Sequence, residues 1–332
     1  MFERIRLILS RFFCGGKTFI ADWREFGFCA ALWLWVLYVL PSLKGPRYIK
    51  FLTKYMDKQF KKITDEFKAG NHNSDLMIPD NHITPEKKPV WVCWLQGEES
   101  MPELVKMCYN QLKKNIPDYA EIHLITLDNY SSYITLPDYI IEKFNSGSIT
   151  MIHLTDIFRS CLLYSYGGMW IDSTVFTTKG IPDEFFNEPV WAQHTCNEDK
   201  YKNEPSRAKW SGFLMGGKQG NPLFCYMRNS LFHYWSEHKK LIEYIILDYS
   251  ILTAYNNFDD IRKNIDDISC NNENMWELTK VINDGYDEKL YRDITDDTIF
   301  FKLTYKMELK KQTDDGKPTF YAYLLDISKE SK

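Results

Sequence analysis

Leu154–Phe176 reads LTDIFRSCLLYSYGGMWIDSTVF, and this stretch decides the fold class. Thr155–Tyr166 has helical spacing: Ile157, Cys161 and Tyr164 form an apolar stripe, while Asp156 and Arg159, three apart, share another face. Thr155 is a candidate N-cap, which puts Asp156 in the first turn, where the helix dipole favours a carboxylate. Gly167-Gly168 permits a tight turn and close backbone approach. Met169–Phe176 then reads as a short apolar strand carrying Asp172. Open α/β sheets bind their ligands in crevices outside strand C-termini, so Asp172 is the first candidate for chemistry.

Outward from this stretch, strands and helices alternate. Pro89–Leu95 and Ile122–Thr126 are expected strands, Pro102–Asn115 and Pro137–Ser146 expected helices, and Ile149–His153 a further short strand. This βαβα order predicts an α/β fold with a mostly parallel, Rossmann-like sheet flanked by helices. Beyond Gly180 the pattern loosens. Val190–His194 and Gly212–Gly217 read as strands, Pro222–Leu247 as helical, Asp259–Asp297 as acidic and polar, and Phe300–Lys306 with Pro318–Leu325 as a final strand pair.

The N-terminal portion differs in character. Phe26–Leu40 carries no charge, but a spanning helix wants about 20 apolar residues. Three readings stay open: an in-plane or re-entrant membrane anchor, a strained single span, or a helix buried against the domain. Trp33, Trp35 and Tyr38, with basic residues on both sides (Arg24 before; Lys44, Arg47 and Lys50 after), favour contact with an anionic membrane surface. Lys44–Gly70 reads as a basic helix. The proline-bearing stretch 71–88 reads as a linker between an N-terminal helical, membrane-proximal segment (1–70) and the main domain (89–326).

The chain has 332 residues and a net charge of −4, so no global basic field gathers nucleic acid. Eight scattered cysteines without a CxxC pair suit free thiols in a reducing compartment, and nothing at the N-terminus looks like a secretory cleavage pattern. In a strand, Asp172 and Thr174 point to the same side. One carboxylate and one hydroxyl there would suit a hard divalent cation, Mg²⁺ or Mn²⁺, completed by a diphosphate.

Asp156, Arg159, Tyr166, Gly167, Gly168, Trp170, Asp172 and Thr174 together resemble the SDxxR…YGGxYxDxD region of family 32 glycosyltransferases. They are still more similar to bacterial capsular polysaccharide synthesis glycosyltransferases, which often read YGGxWxDxT. Val90–Trp94 with Gln96-Gly97 resembles that family's first strand and nucleotide loop. Asn115–Tyr119, Trp210–Pro222, Leu247–Tyr249 and Phe301–Thr304 resemble further family segments, so the likeness covers roughly residues 90–306. It implies a GT-A-like fold, a nucleotide-sugar donor, a divalent cation, an oligosaccharide or lipid-linked glycan acceptor, and retention of anomeric configuration at the cytoplasmic face of the cell membrane.

On that reading Asp172 and Thr174 hold the metal and Arg159 offsets charge on the leaving diphosphate. Asp156 would take a ribose or sugar hydroxyl, and Trp94, Gln96, Gly97 and Gly168 would surround the nucleotide. Asp248 is a candidate acceptor-side carboxylate. His194 and His153 are weaker candidates. Family 32 members commonly place a second Asp where this chain has Thr174. Either Asp172 shares the metal with a distant residue, or metal dependence is weak. Two rivals remain: a sugar-phosphate transferase of envelope assembly, and a non-catalytic membrane-attached subunit. A dehalogenase-like phosphatase would need a carboxylate at Thr174 and an earlier place in its domain.

Overall fold

Strict alternation along β1 (Lys88–Cys93) creates the two layers of the protein. Val90 and Val92 enter one core, and Trp91 and Cys93 the other. The computed structural model describes residues 16, 18–195, 197 and 199–329. Its central sheet has five strands in the order β2-β1-β3-β6-β5, with β2 at Ala120–Ile125, β3 at Gly168–Ile171, β5 at Val190–Ala192 and β6 at Leu214–Gly217. β1 pairs in parallel with β2 and β3, while β6 runs antiparallel to both β3 and β5. Only β6 therefore opposes the other strands, and the expected mostly parallel α/β sheet is present.

Two helical layers cover the sheet, as a sheet apolar on both faces requires. One holds α6 (Met151–Tyr166), α7 (Pro222–Glu237) and α8 (Ile246–Asn257), packed on Trp91, Trp170 and Met215. The other holds α4 (Glu103–Asn115), whose Val105 and Leu112 meet Val90, Met169 and Leu214. A small helix, α5 (Asp138–Asn145), links β2 to α6. Outside α4 lies a two-stranded ribbon of β4 (Val175–Thr177) and β7 (Phe300–Lys302), with Phe176, Phe301 and α12 (Phe320–Lys329) closing a third core.

Several boundaries depart from the sequence reading. Ile149–His153 is no strand: Thr150 caps α6, accepting from the His153 N–H (3.5 Å), so Asp156 sits in the second turn, away from the dipole's positive end. The expected strand Met169–Phe176 is broken. Ile171 ends β3, and a turn closed by the Val175 N–H on the Asp172 carbonyl (2.9 Å) sends β4 into the other sheet. Of the expected strand Pro318–Leu325, Pro318 and Thr319 make isolated bridges, while Phe320–Leu325 opens α12, with Phe320, Tyr321, Leu324, Leu325 and Ser328 buried at helical spacing. The acidic stretch 259–297 folds into α9 (Asp259–Asp266), α10 (Glu277–Val281) and α11 (Glu288–Thr295).

The N-terminal basic helix is two helices, α2 (Pro46–Gln59) and α3 (Lys61–Lys68), and both share the main core through Leu52, Met56, Phe60 and Ile63. Ahead of them, α1 (Phe28–Val39) buries Ala30, Ala31 and Val39 against the body and exposes Phe28, Leu32 and Tyr38. Its 12 residues rise about 18 Å, against the ~30 Å of a bilayer core. Among the described residues no helix is long and apolar enough to cross a membrane. The 71–87 stretch is irregular yet pinned. Fully buried Arg228 donates to the carbonyls of Asn73 and Asp75, and Tyr164 to that of Ser74. Cys29, Cys93, Cys108, Cys161 and Cys225 are free thiols, as expected, but Cys270 is disulfide-bonded.

Candidate active site

Gly167 and Gly168 adopt φ of +69° and +85°, and a Cβ on Gly168 would lie 2.2 Å from the Pro89 carbonyl oxygen. Only glycine lets β3 start this close to β1. That approach delivers Asp172, just past the end of β3, beside Cys93 and Trp94 at the end of β1. The two strand ends open into a cleft of about 590 Å³, a size that suits a small-molecule site. The Asp172 N–H donates to the Phe213 carbonyl (2.9 Å), which fixes the floor.

Both oxygens of Asp172 are engaged. The Trp170 indole N–H donates to Oδ1 at 2.8 Å, and Arg159 Nη2 lies 3.4 Å from the same atom. Lys302 Nζ donates to Oδ2 at 2.7 Å. Arg159 Nη2 also lies 3.3 Å from Asp156 Oδ1, and its guanidinium stacks over the Trp170 ring at 4.9 Å. Arg159 is buried, its Nε without a hydrogen-bond partner. A Cβ at Gly212 would meet its Nη1 at 2.7 Å, so Gly212 leaves the space the guanidinium fills. Asp248, in the first turn of α8, accepts from the Trp210 indole N–H at 3.0 Å.

These carboxylates differ in how tightly they hold a proton. Burial pushes Asp156 up to about 7 against the pull of Arg159, and the Asp172 and Asp248 charges add to the rise. Burial also pushes Asp248 up to about 6, against the Trp210 hydrogen bond and Arg159. Asp172 goes the other way. Burial raises it, but Lys302, Arg159 and the hydrogen bonds from Lys302 and Trp170 together outweigh burial and hold it below the usual carboxylate range. Asp172 is thus the most acidic of the three. The Cys93 thiol beneath it is pushed up by burial and stays protonated.

Asp156, Arg159, Asp172, Thr174, Asp248, Trp94 and Gln96 all line this one cleft. Gly97 and Gly168 do not. Gly97 supports Trp94 from behind: Ser100 Oγ donates to its carbonyl (2.8 Å) and accepts from the Trp94 indole (2.9 Å). Gly168 approaches Pro89, not a ligand. His194 faces the Ile268 carbonyl (2.8 Å) outside the cleft, and His153 is buried between Thr150 and the Tyr244 carbonyl. The residues that sequence reasoning missed are Lys302, Tyr244, Trp276, Tyr305 and Lys306. Lys302 did carry a signal, a lone cation within the apolar run Ile299–Leu303.

The donor set fits the expected divalent cation poorly. Thr174 lies within the turn between β3 and β4, not in a strand, so the same-side argument for it fails. The carboxylate of Asp172 already carries two cationic partners. Among the described residues no group of three His, Cys, Asp or Glu is placed to hold a metal ion.

The profile of a family described as capsular polysaccharide synthesis protein matches residues 44–324. The chain belongs to that family. The match takes in α2 and α3 as well as both walls of the cleft. Among curated relatives, O-glycosyltransferase braB of Annulohypoxylon truncatum is 30% identical over 121 residues, 33% of this chain and 28% of that one. O-glycosyltransferase PaGT of Phomopsis amygdali is 22% identical over 168 residues, 47% of this chain and 41% of that one. The matched part spans less than half the length of either relative. The apo structure of the WbbM bifunctional glycosyltransferase aligns with 76% of this chain and 52% of its own, at a TM-score of 0.43 and 10% identity.

Proposed function

We propose that this protein is a glycosyltransferase that moves a sugar from a nucleotide-sugar donor onto a capsular or other cell-surface glycan. The observation that carries the reading is the Asp156–Arg159–Asp172 array at the carboxyl ends of β1 and β3, inside a cleft with Trp94 and Gln96 at its rim. In glycosyl transfer a nucleoside diphosphate departs as negative charge builds on its oxygens. Arg159, prearranged by two carboxylates, the Trp170 face and the space at Gly212, is the kind of fixed donor that stabilises such charge. Trp94 offers a ring face to the base or the sugar. Asp156 would bind a hydroxyl of the donor, and Asp248 one of the acceptor. Retention of anomeric configuration rests on the family resemblance and would be read from the product by NMR.

The same reading places the N-terminal helices at an anionic membrane face. Phe28, Leu32, Tyr38, Leu40 and Leu43 are exposed, and Arg47, Lys50, Lys54, Lys58, Lys61 and Lys62 stand exposed on the helices that follow. Flotation with phosphatidylserine vesicles tests this, and the Phe28→Glu/Leu32→Glu double variant should stay at the bottom of the gradient. Because Phe26, Ala30, Ala31 and Val39 are buried, these exposed positions test the surface without removing core. For transfer, an Asp172→Asn enzyme that moves sugar at the wild-type rate would remove the proposal.

A further inference from the structure

We infer that Lys302 takes the place of a divalent cation: its ammonium, held by Asp172, binds the diphosphate of the donor, and nucleotide binding is metal-independent. This rests on the glycosyltransferase reading of the same cleft. The β4–β7 register pairs Lys302 with Val175, immediately after the Asp172 turn, and so points its side chain back to the carboxylate. Nζ stands 2.7 Å from Asp172 Oδ2 and 4.9 Å from the centre of the Phe213 ring, which forms one wall of its slot. An ammonium has three N–H donors. Asp172 takes one, and Lys302 lines the open cleft, so two remain for phosphate oxygens.

The carboxylate that would anchor a metal is the one this lysine occupies. A divalent cation on Asp172 would sit within a few ångströms of both Lys302 and Arg159, where unlike partners are scarce and like charges repel. A lysine on an oxygen-rich ligand supplies one positive charge where Mg²⁺ supplies two, and Arg159 on the far side of Asp172 supplies the second. Lys306 lines the same cleft. Asp172 here positions a cation of the protein itself, so a single carboxylate suffices at this strand end.

The test is calorimetric titration of the full chain with UDP, GDP and dTDP, in EDTA and in Mn²⁺. One nucleotide is expected to bind in EDTA with affinity within about twofold of that in Mn²⁺, and Lys302→Met should weaken it by about tenfold or more. Lys302→Arg should keep most of the affinity, which separates loss of charge from loss of fold, and both variants are checked by thermal melting. Binding that appears only with Mn²⁺ overturns the lysine assignment and leaves the transferase reading standing. Unchanged affinity in a folded Lys302→Met also overturns it. No binding of any nucleotide, with or without metal, overturns both.

Discussion

The two walls of the cleft are built differently. One wall, α6 with β3, presents Asp156 and Arg159, exposed by only 8% and 6%, and Asp172 locked by Trp170 and Lys302. The opposite wall, from the approach to α8 to the end of β7, presents Tyr244 and Tyr305 at 56% and 40% exposure, with Trp276 and Lys306. Buried charge on regular elements loses little freedom when a ligand arrives, whereas exposed rings on loops can adjust to ligands of different shape. On the proposed glycosyltransferase reading, the rigid wall suits the part that nucleoside-diphosphate sugars share, the diphosphate. The adaptable wall suits the part that varies among surface glycans, the acceptor.

Substitutions on the rigid wall should have the largest effects. Asp172→Asn frees Lys302 and Arg159 from their shared anchor and should lower transfer by about 10²–10³-fold with the fold intact by circular dichroism. Gly212→Ala is sharper, because the added methyl meets Arg159 Nη1 and little else polar. A fall in transfer of about tenfold or more is expected from it, with a melting temperature close to wild type. Tyr305→Ala and Tyr244→Ala, on the other wall, should raise acceptor KM several-fold and change kcat by less than about twofold. Equal kcat losses from both walls would erase the distinction drawn between them.

The smallest effect concerns pH. The Asp156 carboxyl is raised in the folded protein to about 7 from an ordinary value of 3.8, so the folded state binds this proton more tightly than the unfolded state. Its contribution to stability is full below about pH 4 and is lost as pH rises to about 7. Asp156→Asn has no such proton to lose. Its melting temperature relative to wild type should therefore climb between pH 5 and pH 8, and a flat difference would place the charge elsewhere.

This asymmetry also sets how much of the site was legible in the chain. Asp156, Arg159, Gly167, Gly168 and Asp172 lie within 17 residues, on one helix, one turn and one strand end, so local spacing was enough to bring them together. Lys302 joins them only through the β4–β7 pairing, 130 residues from Asp172, and no periodicity reports a contact of that range. Thr174 lines the cleft, but from a turn: the expected strand through Asp172 breaks there and the chain moves to a second sheet, which apolar spacing alone does not reveal. Within Pro318–Leu325 the apolar run Phe320–Leu325 is too short for its period to separate strand from helix, and its packing with Phe301 and Leu278 goes with helix. The family resemblance puts Gly168 beside the nucleotide. Its positive φ was expected, but the backbone it approaches belongs to β1.

The most direct measurement is a donor screen: purified wild-type and Asp172→Asn protein offered UDP-, GDP- and CMP-sugars, with release of free sugar and transfer to glycan acceptors followed side by side. Turnover of one donor by the wild type, lost in Asp172→Asn, is the expected result. Turnover that survives the substitution unchanged would contradict a transferase centred on Asp172.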